Sequence, residues 1–159
     1  MAMVCETAAS LRVVGDALDP GEITRLLAGD PDSAQRKGAV IQMYGGRQRI
    51  AQTGIWRKKV QRRCPGGLDG QVGEILAELT EDLEVWAHLS AHYQVEFFCG
   101  LFMEDSNEGI GLTSETIMML AGNDNIFHSR IPGHTHPFIC IEFERIKFIN
   151  KFVILLDGN

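Results

Sequence analysis

Several signatures that would assign this chain to a class are missing. Its four cysteines, Cys5, Cys64, Cys99 and Cys140, are widely scattered and form no short ligand pair, so neither a structural zinc site nor a disulfide scaffold is signalled. The first residues carry no basic stretch and no apolar stretch of leader type, and no run reaches the roughly 18 apolar residues of a membrane span. Secretion and membrane insertion are not expected, and reduced thiols in the cytoplasm are. No nucleophile elbow, Walker loop or dinucleotide fingerprint occurs, because the glycines at Gly45-Gly46, Gly66-Gly67 and Gly109-Ile110-Gly111 lack the required flanks. These glycines read as turns, and no cofactor is implied.

Positive charge is missing over one long stretch. Between Arg63 and Arg130 there is no lysine or arginine, and that interval holds 12 carboxylates. Conversely, Arg36, Lys37, Arg47, Arg49, Arg57, Lys58, Lys59, Arg62 and Arg63 make up 9 of the 15 basic residues. The net charge of -6 opposes long-range attraction to phosphate, whatever the basic stretch does locally.

What is present fits one folded domain. A chain of 159 residues with 45% hydrophobic and 23% charged content buries enough surface to be stable and lies far from disordered compositions. Leu11 to Gly15 reads as a strand feeding a helix. Asp19 is placed to cap that helix, Pro20 suits its first position and Glu22 sits where a capping-box acid belongs. Ile23, Leu26 and Leu27 give its apolar stripe, and Gly29 is expected to end it.

Two short strands are expected near Ala34 to Ile41 and Thr53 to Gln61, separated by a loop through Gly45-Gly46. The strongest periodicity lies between Leu68 and Tyr93. Val72, Ile75, Leu76, Leu79, Leu83, Trp86 and Leu89 recur at helical steps, while Glu74, Glu78, Glu81, Asp82 and Glu84 fall mostly on the other side. This predicts one helix of about six turns, capped by Asp69 and lying on a sheet. Val95 to Phe102 reads as a buried central strand, and Thr113 or Ser114 as the cap of a third helix through Ala121. The fold class is therefore α+β, an antiparallel sheet against one long and two short helices, ferredoxin-like or a related two-layer sandwich.

The ordered set Leu11-Arg-Val-Val-Gly-Asp-Ala-Leu-Asp-Pro-Gly-Glu-Ile-Thr-Arg-Leu-Leu, Arg36-Lys37-Gly38, Thr53-Gly54-Ile55-Trp56, Phe98-Cys99-Gly100-Leu101-Phe102 and Leu112-Thr-Ser-Glu-Thr-Ile resembles the bacterial domain-of-unknown-function family 4279. The resemblance spans about Leu11 to Ile126 and implies a small α+β fold with no established activity. There are two departures. Arg57-Lys58-Lys59 replaces polar, uncharged residues after Trp56, which predicts an exposed strand. The end of the chain replaces a single closing strand with Pro132-Gly133-His134-Thr135-His136-Pro137 and an apolar segment, so residues 1–131 are taken as the domain and 132–159 as a divergent tail.

That tail is ambiguous between strand and helix. Its apolar residues, Ile139 to Leu156, must be covered, either by adding a strand to their own sheet or by pairing with a second copy, and a homodimer is expected.

Candidate chemistry is sparse. Arg36, Lys37, Trp56, Arg57, Lys58 and Lys59 are the candidate binding residues. They would contact phosphate or nucleic acid, with Trp56 and Tyr44 available for stacking. The alternative is that these charges protect an exposed edge strand and neutralise the acidic helix face. His128, His134 and His136 with Cys140, and separately His88 with His92, resemble partial metal sets without a complete ligand shell, so no metal site is assigned. Cys99 reads as a buried, inert thiol. No catalytic set emerges. The expectation is a binding or interaction protein of immunity-like or regulatory kind with a protein partner or itself, the alternative being a nucleic-acid module built on residues 36–63.

Overall fold

A computed structural model describes the backbone of residues 2–3, 5–103, 108–109, 112–116, 129–130, 138–144 and 151–158, with side chains placed for 5–102 and 112–116. The elements in chain order are β1 (Ala2–Met3), β2 (Glu6–Gly15), α1 (Pro20–Leu27), β3 (Ser33–Gln35), β4 (Val40–Gln42), β5 (Gln48–Ile50), β6 (Gly54–Lys59), α2 (Leu68–Ala77), α3 (Leu83–His92), β7 (Gln94–Met103), β8 (Glu108–Gly109), β9 (Ser129–Arg130), β10 (Phe138–Glu144) and β11 (Lys151–Gly158). The fold is α+β, as expected.

Among the described residues the main sheet has seven strands in the order β3-β6-β2-β7-β11-β10-β9. Its first four strands are mutually antiparallel, and β11 then joins β7 in parallel, with Lys151 opposite Glu96 and Gly158 opposite Met103. A short pair, β4 with β5, projects as a separate hairpin, and β1 pairs with β8.

Side-chain alternation explains why the layers stack as they do. In β2, Ala9, Leu11 and Val13 point to one face, and register aligns them with Cys99, Phe97 and Val95 of β7 and with Lys58 and Trp56 of β6. Ile23 and Leu27 of α1, Val72 and Ile75 of α2, and Trp86 and Leu89 of α3 close over that face and complete one hydrophobic core. Removing this much apolar surface from water, at about 25 cal/mol per Å², drives the two layers together. Burial pushes the Cys99 thiol pKa up, in keeping with an inert core residue.

The predicted single long helix is two helices. After Ala77 the chain turns, and Asp82 opens α3 by accepting a hydrogen bond from Glu84 N at 2.9 Å. Within the break, Thr80 N donates to Leu27 O at 2.8 Å and the Trp86 indole donates to Thr80 O at 2.9 Å, so the corner is tied to the end of α1. The break resets the helical phase. Leu79 and Trp86 are buried, but Leu83 is 60% exposed and is not part of the core stripe.

Gly29 is required by this corner, because a Cβ there would lie 2.6 Å from the Leu79 side chain and 2.7 Å from Glu78 O. Ala28, not Gly29, takes the left-handed conformation that ends α1. Asp69 is likewise not a cap. Gly67 holds that position, and the Asp69 carboxylate accepts from Thr113 N at 3.0 and 3.1 Å.

Other local expectations hold. Asp19 caps α1 through Gly21 N at 2.9 Å with Pro20 following it. Thr113 Oγ1 accepts from Thr116 N at 3.3 Å where a further helical turn begins at 114–116. The span predicted as one strand near Ala34 to Ile41 is divided between β3 and β4. In the tail, 138–144 and 151–158 are both strands, which resolves the ambiguity there. Of the two ways of covering the tail, strand addition to its own sheet is the one seen at β11, which β7 and β10 of the same chain flank on both sides.

Candidate functional site: the open face of the sheet

Successive residues of a strand alternate faces, so the strands that build the core also present a second face that no described helix covers. Register places Arg57, Arg12 and Glu96 in one row across β6, β2 and β7, and Lys59, Ser10 and Phe98 in the next. Beyond them Ala8 lies opposite Gly100, and Glu6 opposite Phe102. Small side chains at Ala8, Ser10 and Gly100 form the floor of a cleft of about 610 Å³, whose rim includes Arg12, Arg57, Lys59, Arg62, Phe98 and Phe102.

The cations here are arranged differently from those elsewhere. The Arg12 guanidinium lies 3.7 Å from the centroid of the Phe98 ring and 3.5 Å from a Glu96 carboxylate oxygen. Among the described residues, its buried Nε atom has no hydrogen-bond partner. Burial lowers the Arg12 pKa, the Glu96 carboxylate opposes that shift, and the neighbouring Arg57 charge lowers it further. Like charges placed directly opposite each other on adjacent strands repel. Arg57 donates through Nε to Ser33 Oγ at 3.1 Å, and Arg62 lies 4.3 Å over the Phe102 ring while pairing with Glu6 at 3.0 Å. Ser10 donates to Phe98 O at 3.3 Å. The result is a positively charged depression with aromatic walls, on a chain whose net charge is negative.

The six residues singled out from sequence do not form one site. Arg36 pairs with Asp19 at 2.7 Å, and Lys37 pairs with Asp16, both at the exposed start of α1. Those contacts hold both carboxyls below the usual range: Asp16 chiefly through Lys37, and Asp19 chiefly through Gly21 N and then Arg36. Trp56 is fully buried, with its indole donating to Thr24 Oγ1 at 3.0 Å, so it offers no stacking surface. Lys58 lies on the helix side, pairing with Glu78 at 2.6 Å and donating to Asp30 O at 3.1 Å. Only Arg57 and Lys59 reach the open face.

β6 is also not an edge strand, because β3 and β2 flank it, although β3 reaches only Ile55 to Arg57. Neutralisation of the acidic helix face is realised by Lys58 with Glu78 and by Arg63 with Glu74.

Arg12, Phe98 and Phe102 are not among the residues that the sequence marks as candidates, and Arg62 enters only as part of the basic stretch 36–63. A signal existed in the charged Arg12 set within the apolar run Leu11 to Val14, at the same parity as Ala8 and Ser10.

His88 and His92 stack with ring centroids 4.3 Å apart, and His92 Nδ1 lies 2.8 Å from His88 O, so that nitrogen is engaged by backbone. The side chains of His128, His134, His136 and Cys140 lie outside the described residues, as does the third helix beyond 116. Among the described residues no cluster of three potential metal ligands occurs, and no helix is long and apolar enough to cross a membrane.

A family model described as Domain of unknown function (DUF4279) covers residues 5–123, close to the span of the resemblance noted above. No curated protein and no solved structure matches the chain.

Proposed function

We propose that this chain, which belongs to the DUF4279 family, is a binding protein whose open sheet face receives the carboxylate or phosphate groups of a partner molecule. The observation that carries the reading is Arg12, a partly desolvated guanidinium directly opposite the like charge of Arg57 on the neighbouring strand. An anion bridging Arg12, Arg57 and Lys59 would relieve that repulsion, and charge-assisted hydrogen bonds of this kind are roughly twice as strong as neutral ones. Cations stacked on Phe98 and Phe102 are already held in place, which reduces the ordering cost of binding.

This reading makes the protein an interaction module of regulatory or immunity-like kind, bacterial and cytoplasmic. It favours an acidic partner protein, because Arg12, Arg57, Lys59 and Arg62 outnumber Asp32, the one carboxylate among the residues that line the cleft. Self-association fits the outer edge of β10, where among the described residues β9 pairs with Glu142 and Phe143 alone.

Isothermal titration with a polyglutamate peptide, with inorganic phosphate as a second probe, tests the proposal. Arg12→Met and Arg57→Gln should each weaken binding by about tenfold or more, with Arg57→Gln changing stability by no more than about 0.5 kcal/mol. Equal affinities for wild type and both variants would remove the cleft as the site.

A second reading, nucleic-acid binding, is favoured by the β4–β5 hairpin. Tyr44 at its turn is fully exposed, and Arg47 just before β5 and Arg49 within it are exposed. Gly45 and Gly46 adopt positive φ there, which lets the turn project. A gel shift that weakens steeply with salt and is lost in Tyr44→Ala rather than Arg12→Met would select it.

A further inference from the structure

We propose that Cys5 and Cys64 form a redox-active dithiol that closes to an intramolecular disulfide by exchange with a low-molecular-weight disulfide of the glutathione type. The two Sγ atoms lie 4.0 Å apart although the residues are 59 positions apart in sequence. Backbone structure sets that proximity. Thr7 and Arg63, each just inside one cysteine, exchange both backbone hydrogen bonds at 3.0 Å, and Glu6 pairs with Arg62 at 3.0 Å. The buried Thr7–Gln71 pair reinforces the clamp: the Thr7 hydroxyl donates to Gln71 Oε1 at 2.6 Å, and Gln71 Nε2 donates to Thr7 O at 3.1 Å and Gln61 O at 2.8 Å. Gly67 N donates to Thr7 Oγ1 at 2.9 Å, holding the loop that follows Cys64. Side-chain rotation then has to bring the sulfurs from 4.0 Å to the bonded separation of roughly 2.05 Å.

Accessibility assigns the order of events. Cys64 is exposed and Cys5 is half-buried, whereas Cys99 is sealed in the core. The Cys64 thiolate attacks one sulfur of glutathione disulfide, forming a mixed disulfide and expelling one glutathione thiolate. The Cys5 thiolate then attacks Cys64 Sγ, forming the Cys5–Cys64 bond and expelling the second glutathione. Two protein thiols lose two protons and two electrons, and one glutathione disulfide becomes two glutathione thiols.

The test exposes the full chain to glutathione disulfide and follows it by intact mass and peptide mapping. Wild type should lose two hydrogens, retain no glutathione and yield a Cys5–Cys64 linked peptide. The linkage should disappear with dithiothreitol. Cys5→Ser should stop with glutathione held on Cys64, and Cys64→Ser should leave Cys5 far less reacted. The oxidised wild type should melt roughly 5–10 °C higher than the reduced form, because the cross-link restricts the unfolded chain. A wild-type chain that stays unreacted, stops at the glutathione adduct, links to Cys140 or forms disulfide-bonded dimers would overturn the proposal. Mapping of wild type alone decides the matter should a serine variant fail to fold.

Discussion

The two faces of β6 are built from adjacent residues and do opposite things. On one face Trp56 is sealed under α1 and Lys58 lays its stem along the core margin to reach Glu78. On the other, Arg57 and Lys59 stand over a floor of small residues with Arg12 beside them. The same contrast runs through β2, where Leu11 and Val13 are fully buried while Ser10 and Arg12 face the cleft. Stability is therefore concentrated on the helix side, where volume and shape are constrained. The open side is free to carry charge that folding itself does not need.

The largest effect expected from this contrast is at Trp56. Trp56→Ala should lower the unfolding free energy by about 3–5 kcal/mol in urea titration, as large aromatic truncations in cores do. A loss below about 1 kcal/mol would mean that the helix side does not dominate.

Next comes the corner between α2 and α3. Leu79→Asp places a carboxylate in a buried position and should cost about 3 kcal/mol or more. Leu83→Asp, only four residues further along, should change stability by no more than about 0.5 kcal/mol because Leu83 is exposed. Comparable losses at both positions would restore the single continuous helix.

The smallest effect concerns the exposed start of α1. Asp16 and Asp19 have folded pKa values below those of the unfolded chain, so their contribution is complete above the ordinary carboxylate range and is lost as pH falls through the depressed values. The thermal midpoint of Asp19→Ala should lie below wild type at neutral pH, and the difference should shrink on acidification below about pH 4. A gap that stays constant into strong acid would mean that the carboxylate charge is not what caps the helix.

Local chemistry was legible in the sequence wherever one short segment decides the outcome. Asp19-Pro20 announces its helix, Thr113 caps the turn at 114–116, and Val95 to Phe102 lies in a central strand. The split of the long helix was not recognised, because apolar spacing carries across Thr80-Glu81-Asp82 even though Asp82 is a good cap. The candidate site was legible only in part. Arg57 and Lys59 are visible as charge, but Trp56 and Lys58 are separated from them by alternation along β6, and Arg36 and Lys37 by their pairing with Asp19 and Asp16. Arg12, Arg62 and Phe98 converge with Arg57 and Lys59 through strand register, a long-range relation that composition and spacing do not encode.

The parallel pairing of β11 with β7 also imposes an order on synthesis. β7 ends at Met103 and its partner begins only at Lys151, so the ribosome must add the whole intervening segment before that edge is covered. At about 5–20 residues per second, the β7 edge stays without that partner for on the order of several seconds in every newly made chain. During that interval the antiparallel strands β3, β6, β2 and β7 are already available to pair, and the exposed row of peptide groups on β7 is a template for any neighbouring nascent chain. Premature termination before Lys151 would make that transient edge permanent, so truncated products of this chain are expected to be cleared by proteolysis or found in aggregates.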